Sequence, residues 1–179
     1  MKSAPNFAVV GHPNKGKSSI VATLSQNDAI AIALEPGTTR SRQAYPLKVD
    51  GKTLYTLIDT PGFQRPRRVL EWLEAHSVSA SDHSETLRAF VVQHKSDERF
   101  NDECELLTPL IDGAGIIYVV DGSVPYSAEH EAEMTILRWS GRPSLALINT
   151  IGADDYSDTW QAALGQFFQV VRKFDAVRA

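Results

Sequence analysis

The chain has 179 residues, 42% hydrophobic and 22% charged, enough to bury one substantial core, and no internal repeat or low-complexity linker divides it. Its formal net charge of -4 excludes recruitment to nucleic acid or an anionic membrane by overall charge. The single Cys104 excludes an internal disulfide framework, and the apolar stretches fall far short of the roughly 18 residues that cross a bilayer, so a reducing, cytoplasmic setting is expected.

In chain order, Phe7–Val10 is a short apolar run closed by Gly11 and reads as a buried strand, while Lys17–Ser25 places Ile20, Val21 and Leu24 on one helical face. Ala44–Val49 and Lys52–Asp59 are extended runs joined by Asp50-Gly51, a dipeptide that tolerates positive φ and predicts a type I′ hairpin. Residues 63–114 occupy more chain than one connecting helix requires and should carry structure of their own. There, Arg65, Arg67 and Arg68 precede Val69, Leu70, Trp72 and Leu73, a pattern that suits either a helix packed on the sheet or a partner surface.

Asp82 with Glu85 predicts a capping box ahead of Leu87, Phe90, Val91 and His94. Phe100, Cys104 and Leu107 continue a helical pattern that Thr108-Pro109 should end or kink. His76, His83 and His94 match no metal-binding spacing. Gly115–Asp121 and Ser144–Asn149 are nearly uncharged and predict central strands. Between them Ser127 should cap a crossover helix carrying Ala132, Ile136 and Trp139 and stopped by Gly141 and Pro143. Asp158 with Gln161 predicts a box for a last helix running through Trp160, Leu164, Phe167 and Val171. The alternation of strands and helices predicts an α/β fold whose mostly parallel sheet has one antiparallel edge strand from the hairpin, with ligands at the carboxyl ends of the strands.

Gly11-His12-Pro13-Asn14-Lys15-Gly16-Lys17-Ser18 matches G-x-x-x-x-G-K-[ST] between a strand and a helix. In such a loop successive backbone N–H groups curl around a β-phosphate at the positive end of the helix, Lys17 reaches the β- and γ-phosphates, and the Ser18 hydroxyl ligates Mg²⁺. Downstream, Leu57-Ile58-Asp59-Thr60-Pro61-Gly62 is an apolar strand ending in a carboxylate, where Asp59 suits a water-mediated hold on Mg²⁺ and Gly62 can offer its amide to a γ-phosphate.

Together GHPNKGKSS, PGTTR, DTPG and AGIIYVVDGS resemble the bacterial GTPases of the TrmE, Era, EngA and septin-like group. The resemblance implies a P-loop NTPase α/β/α sandwich that binds GTP and GDP, hydrolyses GTP with Mg²⁺ and acts as a nucleotide-dependent switch. It implies catalytic roles for Lys17, Thr39 and Gly62, Mg²⁺ ligation by Ser18, Thr39 and Asp59, and nucleotide contacts from Asn14, Lys15, Gly16, Ser19 and Asn149. Where Ras-like enzymes orient water with Gln, this chain has Phe63, as in relatives that use K⁺ held by an asparagine in the phosphate loop, here Asn14. Arg40, Arg65, Arg67 and Arg68 are alternative sources of that charge.

The family's Asn-Lys-x-Asp is replaced by Asn149-Thr150-Ile151-Gly152, which leaves Asp154 or Asp155 as candidate base readers and keeps ATP or relaxed purine use open as an alternative. A regulatory module with negligible hydrolysis is a further alternative. The resemblance also implies an effector, whether protein, RNA or membrane, that reads the two switch regions, an enlarged helical switch II region at about 63–114, and a nucleotide-dependent dimer. In the family's layout a final strand with a base-contacting loop and then a closing helix come after the segment beginning at Trp160; residues 170–179 suffice for the strand and its loop but not for the helix, so the chain reads as the N-terminal GTPase part of a longer protein.

Overall fold

The structure, a computed structural model, describes residues 3–13, 16–25 and 41–174. Its strands are β1 Asn6–Gly11, β2 Gln43–Val49, β3 Lys52–Asp59, β4 Gly115–Asp121, β5 Ser144–Asn149 and β6 Val171–Phe174, in the sheet order β2-β3-β1-β4-β5-β6. Every neighbouring pair is parallel except β2 with β3. The hairpin forms at the predicted dipeptide, because Asp50 at φ 49° and Gly51 at φ 75° both take the left-handed conformation that a type I′ turn requires. A register shift between Leu47 and Lys48 then interrupts the edge ladder.

The helices are α1 Gly16–Ser25, α2 Pro66–His76, α3 His83–His94, α4 Asn101–Ile111, α5 Ala128–Trp139 and α6 Ser157–Leu164. Alternation along β4 divides the core between the two faces of the sheet. Ile116, Tyr118 and Val120 join side chains of α2 to α6, whereas Ile117 and Val119 join Ile20 and Val21 of α1. Helices therefore cover both faces, which is the three-layer sandwich expected of the fold. Among the described residues, an apolar trough beside α1 is lined by Phe7, Leu24, Tyr55, Leu57, Leu145 and Phe174. No helix of the described residues is long and apolar enough to cross a membrane.

Several local expectations need correction. The last helix stops at Leu164 with Gly165 as its cap, and Val171 instead starts β6 against Ala146. Phe167 lies past the end of the helix and packs partly buried against the core, while its neighbour Phe168 is buried and stacked on Tyr118. Asp158 does not cap α6, since Asp155 Oδ1 accepts from the Ser157 N–H at 2.9 Å. Asp82 precedes α3 but turns its carboxylate back to the Ser77 hydroxyl and the Val78 N–H, at 2.5 and 2.8 Å, so no box forms with Glu85.

Pro109 lies inside α4, which continues past Thr108-Pro109 to Ile111 before it ends. The Arg142 guanidinium donates to the carbonyls of Leu110 and Ile111 at 2.8 and 3.2 Å, satisfying acceptors at that terminus. Ser127 caps α5 as expected, with His130 Nδ1 as the partner that accepts from its N–H at 3.2 Å.

Candidate functional site

The strand order reverses beside β1, which lies between β3 and β4, and this is where an open α/β sheet leaves a crevice at its carboxyl edge. Gly11 ends β1 there. A Cβ at Gly11 would stand 2.4 Å from the Val119 carbonyl oxygen, so only glycine lets the chain turn away this close to β4. The loop then delivers Gly16 as the first residue of α1, whose N-terminal amides and dipole face the crevice.

Lys17 is buried, and its ammonium donates to the His12 carbonyl at 3.0 Å, spanning the loop. Burial pushes its pKa down, opposed by Asp59 and Glu133. A cation in this position is set to gain strongly from an added phosphate. Ser18 Oγ donates to Asp59 Oδ2 at 3.3 Å, joining the start of α1 to the end of β3. A hydroxyl and a carboxylate at this junction form an all-oxygen donor set, which suits a hard cation such as Mg²⁺. Gly16, Lys17, Ser18, Ser19, Asp59 and Gly62 are thus brought to one end of the sheet. Asn14, Lys15, Thr39 and Arg40 lie outside the described residues.

Thr60 is fixed by its hydroxyl, which donates to the Val9 carbonyl at 2.8 Å. Beyond it the chain runs directly against the phosphate loop. A Cβ at Gly62 would stand 2.5 Å from the Pro13 backbone nitrogen, and the Phe63 N–H donates to the Gly11 carbonyl at 2.9 Å. Phe63 itself is fully buried in the core on the α2 side. Burying such a ring stabilises by roughly 2–3 kcal/mol, so it is an anchor for this segment.

At the other end of the crevice, Asn149 is buried at the tip of β5 and its carbonyl accepts from the Gly122 N–H at 2.8 Å. Asp121 Oδ1 accepts from the Ser123 N–H at 2.9 Å and from the Ile151 N–H at 3.3 Å, and Ser123 Oγ accepts from the Gly152 N–H at 2.9 Å. A Cβ at Gly152 would come within 2.8 Å of that Ser123 oxygen. The loop therefore follows a path that fits glycine where the family pattern has aspartate. Asp155 is occupied at the start of α6, whereas Asp154 is exposed beside the loop.

Sequence reasoning missed a network beneath the phosphate loop. His12 Nδ1 lies 2.8 Å from Glu133 Oε1, and the Tyr118 hydroxyl donates to Glu133 Oε2 at 2.5 Å. Glu133 is wholly buried. Its hydrogen bond raises the pKa of His12 against an opposing effect of burial, and burial lowers that of His130, whose ring centroid is 5.2 Å away. The available signal was a carboxylate between Ala132 and Ile136 on the apolar face of α5.

Residues 6–150 match the family described as "50S ribosome-binding GTPase". GTPase Der of Azoarcus sp. (strain BH72) is 45% identical over 76 residues, 42% of this chain and 17% of that protein. GTPase Der of Thermoanaerobacter sp. (strain X514) is 40% identical over 91 residues, 51% of this chain and 19% of that protein. The chain thus spans less than a fifth of these relatives. Among solved structures, Era in complex with MgGDPNP and nucleotides 1506–1542 of 16S ribosomal RNA superposes with a TM-score of 0.63 at 17% identity, covering 100% of this chain and 53% of that one. An Aquifex aeolicus Era variant bound to GDP·AlF4⁻ gives 0.59 at 17% identity, covering 99% and 53%.

Proposed function

The chain belongs to the 50S ribosome-binding GTPase family, and on that premise we propose that it binds GTP with Mg²⁺ at the crevice beside β1 and hydrolyses it as a nucleotide-dependent switch. The observation that carries the reading is the phosphate loop itself, with Lys17 and the Ser18–Asp59 pair gathered where β1 passes into α1. Lys17 and the N-terminal amides of α1 bind the β- and γ-phosphates and hold their charge. Ser18, Asp59 and Thr39 would hold Mg²⁺, which would draw charge from the phosphate oxygens. Gly62 presents its N–H to the γ-phosphate from beside the phosphate loop, where an added Cβ would stand 2.5 Å from the Pro13 nitrogen. The segment that carries Thr39 and the segment that begins at Gly62 are the two regions that respond to the γ-phosphate.

Phe63 is buried and carries no group that orients water, so catalysis needs charge from another source. K⁺ held by Asn14 supplies it in our reading, which predicts faster hydrolysis in K⁺ than in Na⁺. Guanine is the base we assign, with the exposed Asp154 as the carboxylate that reads it, since Asp155 serves α6. The test is parallel titration with GTP, GDP, ATP and ADP, followed by turnover of each triphosphate with Mg²⁺ in K⁺ and in Na⁺. Preference for guanine nucleotides and K⁺-dependent phosphate release support the reading. Equal affinity for adenine nucleotides overturns the base assignment, and tight binding without turnover in either salt leaves a binding module.

A further inference from the structure

Helix α4 contacts both the segment that follows Phe63 and the residue that leads into β2. Glu103, in its first turn, is fully buried, and its Oε1 accepts from the backbone N–H groups of Gln64 at 2.9 Å and Arg65 at 2.6 Å. These are the residues that follow Phe63, just before Pro66 opens α2. Two positions along the helix, Glu105 Oε2 accepts from the Arg42 N–H at 3.1 Å and from its guanidinium at 3.2 Å. Arg42 immediately precedes β2, the strand that follows the Thr39 segment. Residues two apart on a helix point in nearly opposite directions. One turn of α4 therefore holds the segment after Phe63 inside the protein and Arg42 at its surface.

Packing alone does not account for Glu103. It stands among Cys104, Leu106 and Leu107 on a buried helix, its Oε2 has no hydrogen-bond partner among the described residues, and burial pushes its pKa up. An apolar residue of similar size would avoid the cost of placing a carboxyl group there. What the carboxylate supplies, and an apolar side chain cannot, is an acceptor for two consecutive amides. Together with the Phe63 N–H bond to the Gly11 carbonyl, this fixes three successive N–H groups after Gly62.

We infer that Glu103 is a positioning residue that sets the backbone of switch II through Gln64 and Arg65, while Glu105, from the same turn of α4, holds Arg42 at the surface. The inference rests on the reading of Gly62 as a γ-phosphate donor for its kinetic consequence, but the hold on Gln64 and Arg65 can be measured without it.

The experiment compares the chain with its Glu103→Ala, Glu103→Gln and Glu105→Ala variants, using residue-resolved amide exchange in GDP and steady-state GTP hydrolysis. Glu103→Ala is expected to speed exchange at Gln64 and Arg65 at least tenfold while β1, β4 and β5 keep their protection. It should also lower kcat about tenfold with KM changed less than twofold. Glu103→Gln keeps a weaker, neutral acceptor, so exchange at the same two amides should rise about threefold and most of kcat should return. Glu105→Ala should speed exchange at Arg42 alone.

Unchanged exchange at Gln64 and Arg65 in the Gln variant, or a uniform rise across the sheet, overturns the inference, and this remains decisive should the Ala variant fail to fold. A specific rise in exchange with no effect on kcat overturns the kinetic role. A wild-type chain that releases no phosphate overturns the GTPase reading, while exchange still decides whether Glu103 holds switch II.

Discussion

Tyr118→Phe is the cleanest perturbation of the network under the phosphate loop. Tyr118 is fully buried in β4 and stacks on Phe168 at 5.5 Å, contacts that phenylalanine keeps. The substitution removes one oxygen, and with it the 2.5 Å hydrogen bond to Glu133 Oε2. A hydrogen bond to a charged group contributes about 1.5–3 kcal/mol, and no large cavity is created, so a loss of about 2 kcal/mol is expected. For a chain of this size that corresponds to a fall in Tm of roughly 4–8 °C. Urea unfolding should show a lower midpoint with an unchanged slope. Because Glu133 also pairs with His12, Tyr118→Phe and His12→Ala should be non-additive by at least about 0.5 kcal/mol. A loss below about 0.5 kcal/mol, or strict additivity, would refute the claim that Glu133 ties the phosphate loop to the core.

Other outcomes follow from the same geometry. Lys17→Ala should weaken GTP and GDP binding at least about a hundredfold in calorimetric titration while leaving the unfolding midpoint equal or higher, since burial disfavours the Lys17 cation in the folded state. Gly62→Ala places a methyl 2.5 Å from the Pro13 nitrogen and should cut single-turnover hydrolysis about tenfold or more while GDP affinity falls far less. The folded-state pKa of His12 is raised, so its pairing with Glu133 stabilises fully below the ordinary histidine value and is lost as pH rises through the raised one. His12 is 43% exposed, so the loss should be under about 1 kcal/mol, seen as a decline in unfolding midpoint above pH 6.5 that His12→Gln abolishes.

Where a few adjacent residues dictate the backbone, the sequence was easy to read. Asp50-Gly51 takes positive φ within one turn, and Gly11 to Ser18 encodes a strand, loop and helix in a single run. The limit of the last helix was harder, because Phe167 and Val171 continue the helical spacing of Trp160 and Leu164, yet Val171 finds a better partner in the ladder with β5. Asp82 illustrates the same competition: its carboxylate suits a cap, but Ser77 and Val78 lie closer. Glu103 and Glu133 were least legible. Each works through partners far away in the chain, and only its place on an apolar helix face hinted at a role.

The central claim is that this crevice binds GTP for hydrolysis. Its most direct test is single-turnover phosphate release with the protein in excess over GTP, in Mg²⁺ and K⁺, run beside Lys17→Ala and beside ATP. The account predicts release from GTP that chelation of Mg²⁺ and Lys17→Ala both abolish, with much slower release from ATP. Release that persists in Lys17→Ala, or that is equally fast from ATP, would contradict it.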